Sequence, residues 1–278
     1  MFWNNPMVKM ATLALLLACF LAGAMAHALP PQDSPTSPDS KPSPVSIDED
    51  RPINWKTLVP DVLQDQKAIW TFPGALARGD DWKPTLVIGG AVAGLIALDP
   101  HDTPYFRTTS SFSGFNRRVS GTNALIGTAL VPVTAYAVGL VRHDSYATHT
   151  ALLAGEAAVD AGVLGWVMQT ATGRLAPQNI APGGSYSDTW FKTYHPILHA
   201  GGSFPSEHTI AAFSVATVFA RRYGRHRWVP WVAYGAATLV GFSRVTLQAH
   251  FPSDVFAGGA LAYMISRFAV MPGREPEP

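Results

Sequence analysis

"ATHTALLAGEAAVDAGVLGWVMQTAT", residues 147–172, decides the fold class. The stretch contains no proline and is filled with small and aliphatic residues, with no sustained alternation of polar and apolar positions. That pattern predicts a packed helix and argues against a strand. Two acids, Glu156 and Asp160, stand one turn apart on one face. Burying each in lipid would cost ~2.5–3.5 kcal/mol. The pair is therefore read as a polar seam inside a bundle or as a solvated face, in preference to a catalytic pair.

Working outward, five more apolar segments surround this one, at 84–99, 122–142, 207–222, 228–242 and 253–270. Strand signals are nearly absent, so the fold class is all-α, a bundle of about six helices. Several segments look short for a membrane span, which needs ~20 residues. Loop charge adds a second constraint. The stretch "RRYGRHR", 221–227, carries four arginines and would face the cytoplasm in a membrane. A cleaved leader would put the mature N-terminus outside, and six simple crossings would then put this loop outside too. The reading leans to a periplasmic helical domain associated with the membrane and keeps a multi-spanning protein as the alternative.

The leader is residues 1–28. Lys9 gives the positive start, Ala11 to Met25 the apolar run, and Ala24-Met25-Ala26 or Ala26-His27-Ala28 the small-x-small cleavage site. A cleaved signal peptide fits better than an uncleaved anchor. "LLAC" at 16–19 only faintly resembles a lipoprotein box. Cys19 is the chain's single cysteine, so the mature chain has no disulfide or thiol chemistry. Residues 29–52 are a Pro/Ser/Asp-rich tether without apolar periodicity. Residues 53–83 form an amphipathic lead-in, with a helix expected over 58–70. The helical domain spans 84–272, and 273–278 is a tail. Of the 278 residues, 47% are hydrophobic and 14% charged, with a net charge of +1. Nothing in that balance argues for nucleic acid.

The chemistry gathers in two places. "GGSFPSEHT", 201–209, puts Ser206 where a helix N-cap belongs, with Glu207 and His208 in the first turn. A helix mouth presents unpaired N–H groups and partial positive charge, which suits phosphate. "GFSRVTLQAHFPSDVFAGGAL", 241–261, holds Arg244, then His250, then Asp254 four residues on. An acid one turn from an imidazole can hold one ring nitrogen and leave the other as nucleophile or base. The arginine fork suits phosphate oxygens. No metal-ligand spacing is seen, and no cofactor is called for.

"PSEH", 205–208, and "SRVTLQAHFPSD", 243–254, resemble two of the three signature motifs of the type 2 phosphatidic acid phosphatase superfamily, which also holds the vanadium-dependent haloperoxidases. The resemblance covers about 84–270. It implies a helical bundle with the active site at the helix ends. His250 would attack phosphorus, Asp254 would orient it, and His208 would protonate the leaving oxygen. Arg244, Ser206 and the N–H of Glu207 would hold the phosphate oxygens. The middle motif, normally P-S-G-H, has Glu207 in place of glycine. The first motif, K-x6-R-P, falls on "QTATGRLAP", 169–177, where Gln169 replaces the lysine and Ala176 the arginine; Pro177 fits. Arg174 is the expected substitute phosphate clamp, with Lys192 and Gln169 as further compensating candidates.

The implied activity is hydrolysis of a phosphomonoester or diphosphate, of a lipid or a phosphorylated small molecule, with membrane association and outside the cytoplasm. A relative that binds phosphate or lipid without turnover is the alternative. A haloperoxidase, which would need the missing cations to hold vanadate, comes third. Trp190, Phe191, Tyr194 and Ile197, in the loop 178–200, are read as contacts for an apolar tail or as packing on the bundle. His195 and His199 show no ligand spacing. Arg107, Arg117 and Arg118 either attract an anionic substrate or are surface charge.

Overall fold

The computed structural model describes residues 53–79, 82–193 and 201–272. The leader, the tether and the tail lie outside the described residues, as do Tyr194, His195, Ile197 and His199. Among the described residues the fold is all-helical, with eight α-helices. They are α1 (Leu58–Ala77), α2 (Trp82–Thr108), α3 (Ser113–Arg118), α4 (Gly121–Arg142), α5 (Ser145–Thr172), α6 (Glu207–Arg222), α7 (Trp228–Thr246) and α8 (Pro252–Met264). A π-helical turn, Ile265–Val270, continues α8. All six expected segments are helices, the helix expected over 58–70 is α1, and the short α3 is added to them.

Helix ends follow local signals where these exist. Ser120 caps α4 by accepting from the Asn123 N–H, and Asp144 caps α5 by accepting from the Ala147 N–H. Pro252 opens α8 at a first-turn position, where its missing N–H costs nothing. Two boundaries differ from expectation. α1 runs seven residues past 70, through Pro73. α2 runs past Pro100 and Pro104 to Thr108, where the segment was expected to stop at 99. Proline ordinarily breaks a helix, but here tertiary contacts outweigh the local cost. Asp99 and Thr103 are buried on this continued turn, and Asp99 accepts from the backbone N–H of Ser253 at the start of α8.

The core lies between α5 and α6. Ala151, Leu153, Ala154, Ala157 and Ala161 of α5 bury against a cluster that includes Ile210, Val218 and Phe219 of α6. Alanine at so many core positions lets the helix axes come close, and burying Leu153 alone stabilises the bundle by about 1.5–3 kcal/mol. α8 closes on the mouth of α6 because Gly258 has no side chain. A Cβ there would lie 2.7 Å from the Ser206 carbonyl oxygen.

Glu156 and Asp160 are buried, which selects the polar seam over the solvated face. They face Asp65 of α1, and Gln66 donates to the Asp160 carboxylate at 2.9 Å. Three helices are long and apolar enough to cross a membrane: α2, α4, and α5 with its extension to Asn179. The outer faces of α2 and α4 expose Leu86, Val87, Val133 and Val141. By length and composition these helices fit the expected membrane association, and they favour the multi-spanning alternative. The charged loop is also less free than its sequence suggests. Arg222 turns inward, donating to Thr150 at 2.6 Å and lying over the Tyr146 ring.

Candidate active site at the helix ends

The end of α5, the mouth of α6, the end of α7 and the start of α8 converge. The Ser206 N–H donates to the Asp254 carbonyl at 3.0 Å, which ties the two sequence motifs together through the backbone. Ser206 occupies the N-cap position, but its hydroxyl makes no cap bond; it accepts from Thr209 at 3.0 Å. Arg244 is buried. Its Nε and Nη2 donate to the Ser243 hydroxyl at 3.0 and 2.7 Å, and Nη2 also donates to the Val119 carbonyl.

His250 is buried, and its Nδ1 lies 2.7 Å from the Ser203 carbonyl oxygen. A carbonyl only accepts, so Nδ1 carries the proton there. The carboxylate of Asp254 is 3.9 Å from that nitrogen. The hydrogen bond at Nδ1 is thus with the Ser203 carbonyl, and the Asp254 carboxylate stands beside it as a near charge.

Glu207 fills the space between the two histidines. Its Oε1 is 3.1 Å from His208 Nδ1 and its Oε2 is 3.5 Å from His250 Nε2. Gln169 donates to Oε2 at 2.7 Å and to the Pro205 carbonyl at 2.8 Å. The two residues that depart from the family motifs therefore bond to each other. Burial pushes the Glu207 carboxyl up, but hydrogen bonds from His208 and His250 and the charge of His250 outweigh it and hold the group well below the usual carboxylate range. Burial pulls His250 down, but the hydrogen bond and charge of Glu207, with Asp254 and the Ser203 carbonyl, raise it overall. Burial raises the Asp254 carboxyl to about 6 against the pull of Arg174 and His250. Burial also lowers Arg244, and the Glu207 charge offsets part of that.

A sequence model of the PAP2 superfamily matches residues 148–272, which carry this whole arrangement except the Val119 carbonyl. Residues 148–272 are thus similar to the PAP2 superfamily. The lipid A 1-phosphatase of Porphyromonas gingivalis is 37% identical over 83 residues, covering 30% of this chain and 18% of that protein. The lipid A 1-phosphatase of Rhizobium etli is 35% identical over 100 residues, 36% of this chain and 40% of that protein. That of Rhizobium johnstonii is 33% identical over 108 residues, 39% and 41% respectively. The chain thus spans less than half the length of these curated relatives. No solved structure matches it.

Two cations assigned from sequence to the phosphate are committed elsewhere. Arg174 is almost fully buried, with Nη2 on Asp99 at 2.7 Å and Nη1 on Asp254 at 2.6 Å and Ser253 at 2.7 Å. Its guanidinium lies over the Trp190 and Phe251 rings. Carboxylates in a dry interior outcompete a distant phosphate for this fork. Lys192 pairs with Asp188 at 2.7 Å on the surface. Trp190 packs inward on Arg174 and Phe204, while Phe191 is exposed. Arg107 ties down the loop after α5 through Ile180 and Tyr186; Arg117 and Arg118 are exposed.

Sequence reasoning missed Asp99, Ser203, Val119 and Gly121. Asp99 was legible only as an acid at the end of an apolar run. Gly121 starts α4 against the site: a Cβ there would lie 2.9 Å from Arg244 Nη1 and 3.6 Å from His208 Nε2. α3 brings this corner in, because Asn116 exchanges hydrogen bonds with Thr246 at 2.6 and 3.0 Å.

Proposed function

We propose that this chain hydrolyses a phosphomonoester or diphosphate carried by a lipid, through a phosphohistidine on His250. One observation carries the reading. Nδ1 of His250 donates to the Ser203 carbonyl, so in the neutral ring that attacks, the lone pair is on Nε2, beside His208 and Arg244. Attack forms the Nε2–P bond and breaks the P–O bond to the leaving group, to which His208 gives a proton. Water then breaks the N–P bond, and His208 takes back a proton. Arg244 and the N–H groups at the α6 mouth stabilise the charge on the equatorial oxygens. Glu207 lies over Nε2 at rest; its side chain is 55% exposed, and an arriving phosphate displaces it.

The exposed apolar faces of α2 and α4 support a lipid substrate, as do the rings of Phe106, Phe112, Phe115 and Phe242 gathered where α2, α3 and α7 meet. Candidate substrates are a phosphatidic acid, a polyprenyl diphosphate and, by similarity to the lipid A 1-phosphatases, lipid A 1-phosphate. The loop 221–227 lies at the opposite end of α6 from Ser206. Its arginines favour the cytoplasmic side, which supports a site opening on the outer face of a cell-envelope membrane.

The test is phosphate release by the full chain in detergent from those three lipids and from soluble phosphomonoesters, with His250→Ala in parallel. Release from a lipid phosphate that the variant lacks is expected. Release no greater than that of a folded His250→Ala protein would overturn the enzyme reading and leave a phosphate- or lipid-binding relative.

A further inference from the structure

We infer that Glu207, His208 and His250 form a divalent-cation site of the zinc class. Their ligand atoms, one from each residue, all lie within 4.8 Å of one another. The Glu207 oxygens are 3.1 Å from His208 Nδ1 and 3.5 Å from His250 Nε2. A tetrahedral zinc with bonds of about 2.0–2.1 Å sets its ligands about 3.4 Å apart. Closing this cluster on a cation therefore takes only small side-chain rotations, and Glu207 is exposed enough to make them.

The surroundings suit a cation as well as the spacing does. Metal-bound imidazoles and carboxylates are ordinarily held by outer partners that fix the liganding atom. The Ser203 carbonyl holds Nδ1 of His250 and so presents Nε2. Gln169 holds the Glu207 carboxylate and is itself held by the Pro205 carbonyl. Two imidazole nitrogens and one carboxylate oxygen favour zinc, cobalt or nickel over magnesium or calcium, which prefer oxygen. Three protein ligands with one side open leave a position for an outside ligand.

The cation takes the Nε2 lone pair that the phosphohistidine step needs. Metal-bound protein therefore cannot be phosphorylated on His250, and the cation acts as a reversible inhibitor. This consequence, unlike the binding itself, rests on the proposed function.

The experiment titrates the metal-stripped full chain with Zn²⁺ by calorimetry and with Co²⁺ by its visible ligand-field absorption. One ion per chain is expected, with an intense low-coordinate cobalt spectrum. Glu207→Gly and His208→Ala should each weaken binding at least ~100-fold, and Gln169→Ala about 10–100-fold as an outer-partner change. Helical circular dichroism of each variant must match the parent, and Glu207→Gly, a surface-facing change, guards against a variant that fails to fold. Binding absent from the parent, or unchanged in both Glu207→Gly and His208→Ala, overturns the site.

Phosphate release is read separately, with chelator and with Zn²⁺. Inhibition in the parent that is relieved in Glu207→Gly supports the competition, and turnover that rises with Zn²⁺ overturns it. A parent inert under chelator would count against the phosphatase reading and leave the binding result standing.

Discussion

Two polar clusters meet at the turn from His250 to Asp254, and they differ in how much of their bonding is spent. In the first, Arg174 answers Asp99 and Asp254, Ser253 fills the remaining places, and every member is buried. In the second, Gln169 holds Glu207 closely, but Glu207 meets His208 and His250 at longer range and reaches solvent. A closed network of charges holds helices in place and has nothing left to offer a ligand. An open one can exchange its partners for a phosphate or a cation. The difference teaches that an arginine beside a motif is assigned by what reaches it first. Arg174 is three-dimensionally captured, whereas Arg244, among the described residues, bonds to a hydroxyl and a carbonyl and to no carboxylate.

The comparison breaks most sharply at the open cluster. His250→Ala should lower kcat on lipid phosphate by about 10⁴–10⁶-fold, as removal of a nucleophile does, with the melting temperature little changed; a residual rate within tenfold would end the phosphohistidine reading. At the closed cluster the largest effect is on stability. Arg174→Ala strands two buried carboxylates, and breaking such a pair costs about 3–5 kcal/mol. A large fall in the thermal midpoint in detergent is expected. An unchanged midpoint would show that the network is not structural.

Smaller changes sharpen the contrast. With chelator present, Glu207→Gly removes an anion from the phosphate position, and like charges about 4 Å apart repel by up to ~4 kcal/mol near a protein surface. A rise in kcat/KM of at least tenfold is expected, and a fall would make Glu207 a participant in the reaction. Gly121→Val would press on Arg244 and should lower kcat/KM about tenfold, mostly through KM. Lys192→Ala lies outside both clusters. Its exposed pair with Asp188 is worth under ~1 kcal/mol, so rates within twofold of the parent are expected.

Much of this was legible in the chain itself. Six apolar segments without alternation mark the bundle, and their small residues mark close packing, because helix periodicity is local information. The spacing of Arg244, His250 and Asp254, and the place of Ser206 and His208 at a helix mouth, are local as well. The length of α2 was not legible. Proline at 100 and 104 signals a stop, and only contact with Ser253, far away in sequence, shows why the helix goes on.

The chain alone therefore determined the helical class, the two motif segments and the chemistry their residues can perform. Tertiary structure decided which groups those residues answer to. It gave Arg174 to Asp99 and Asp254, gave the His250 ring to a backbone carbonyl, and set Gln169 against Glu207 across a separation of 38 residues. The physical reason is that a charge in a dry interior is governed by partners a few ångströms away. Those partners come from helices whose meeting is fixed by packing, which no local pattern encodes.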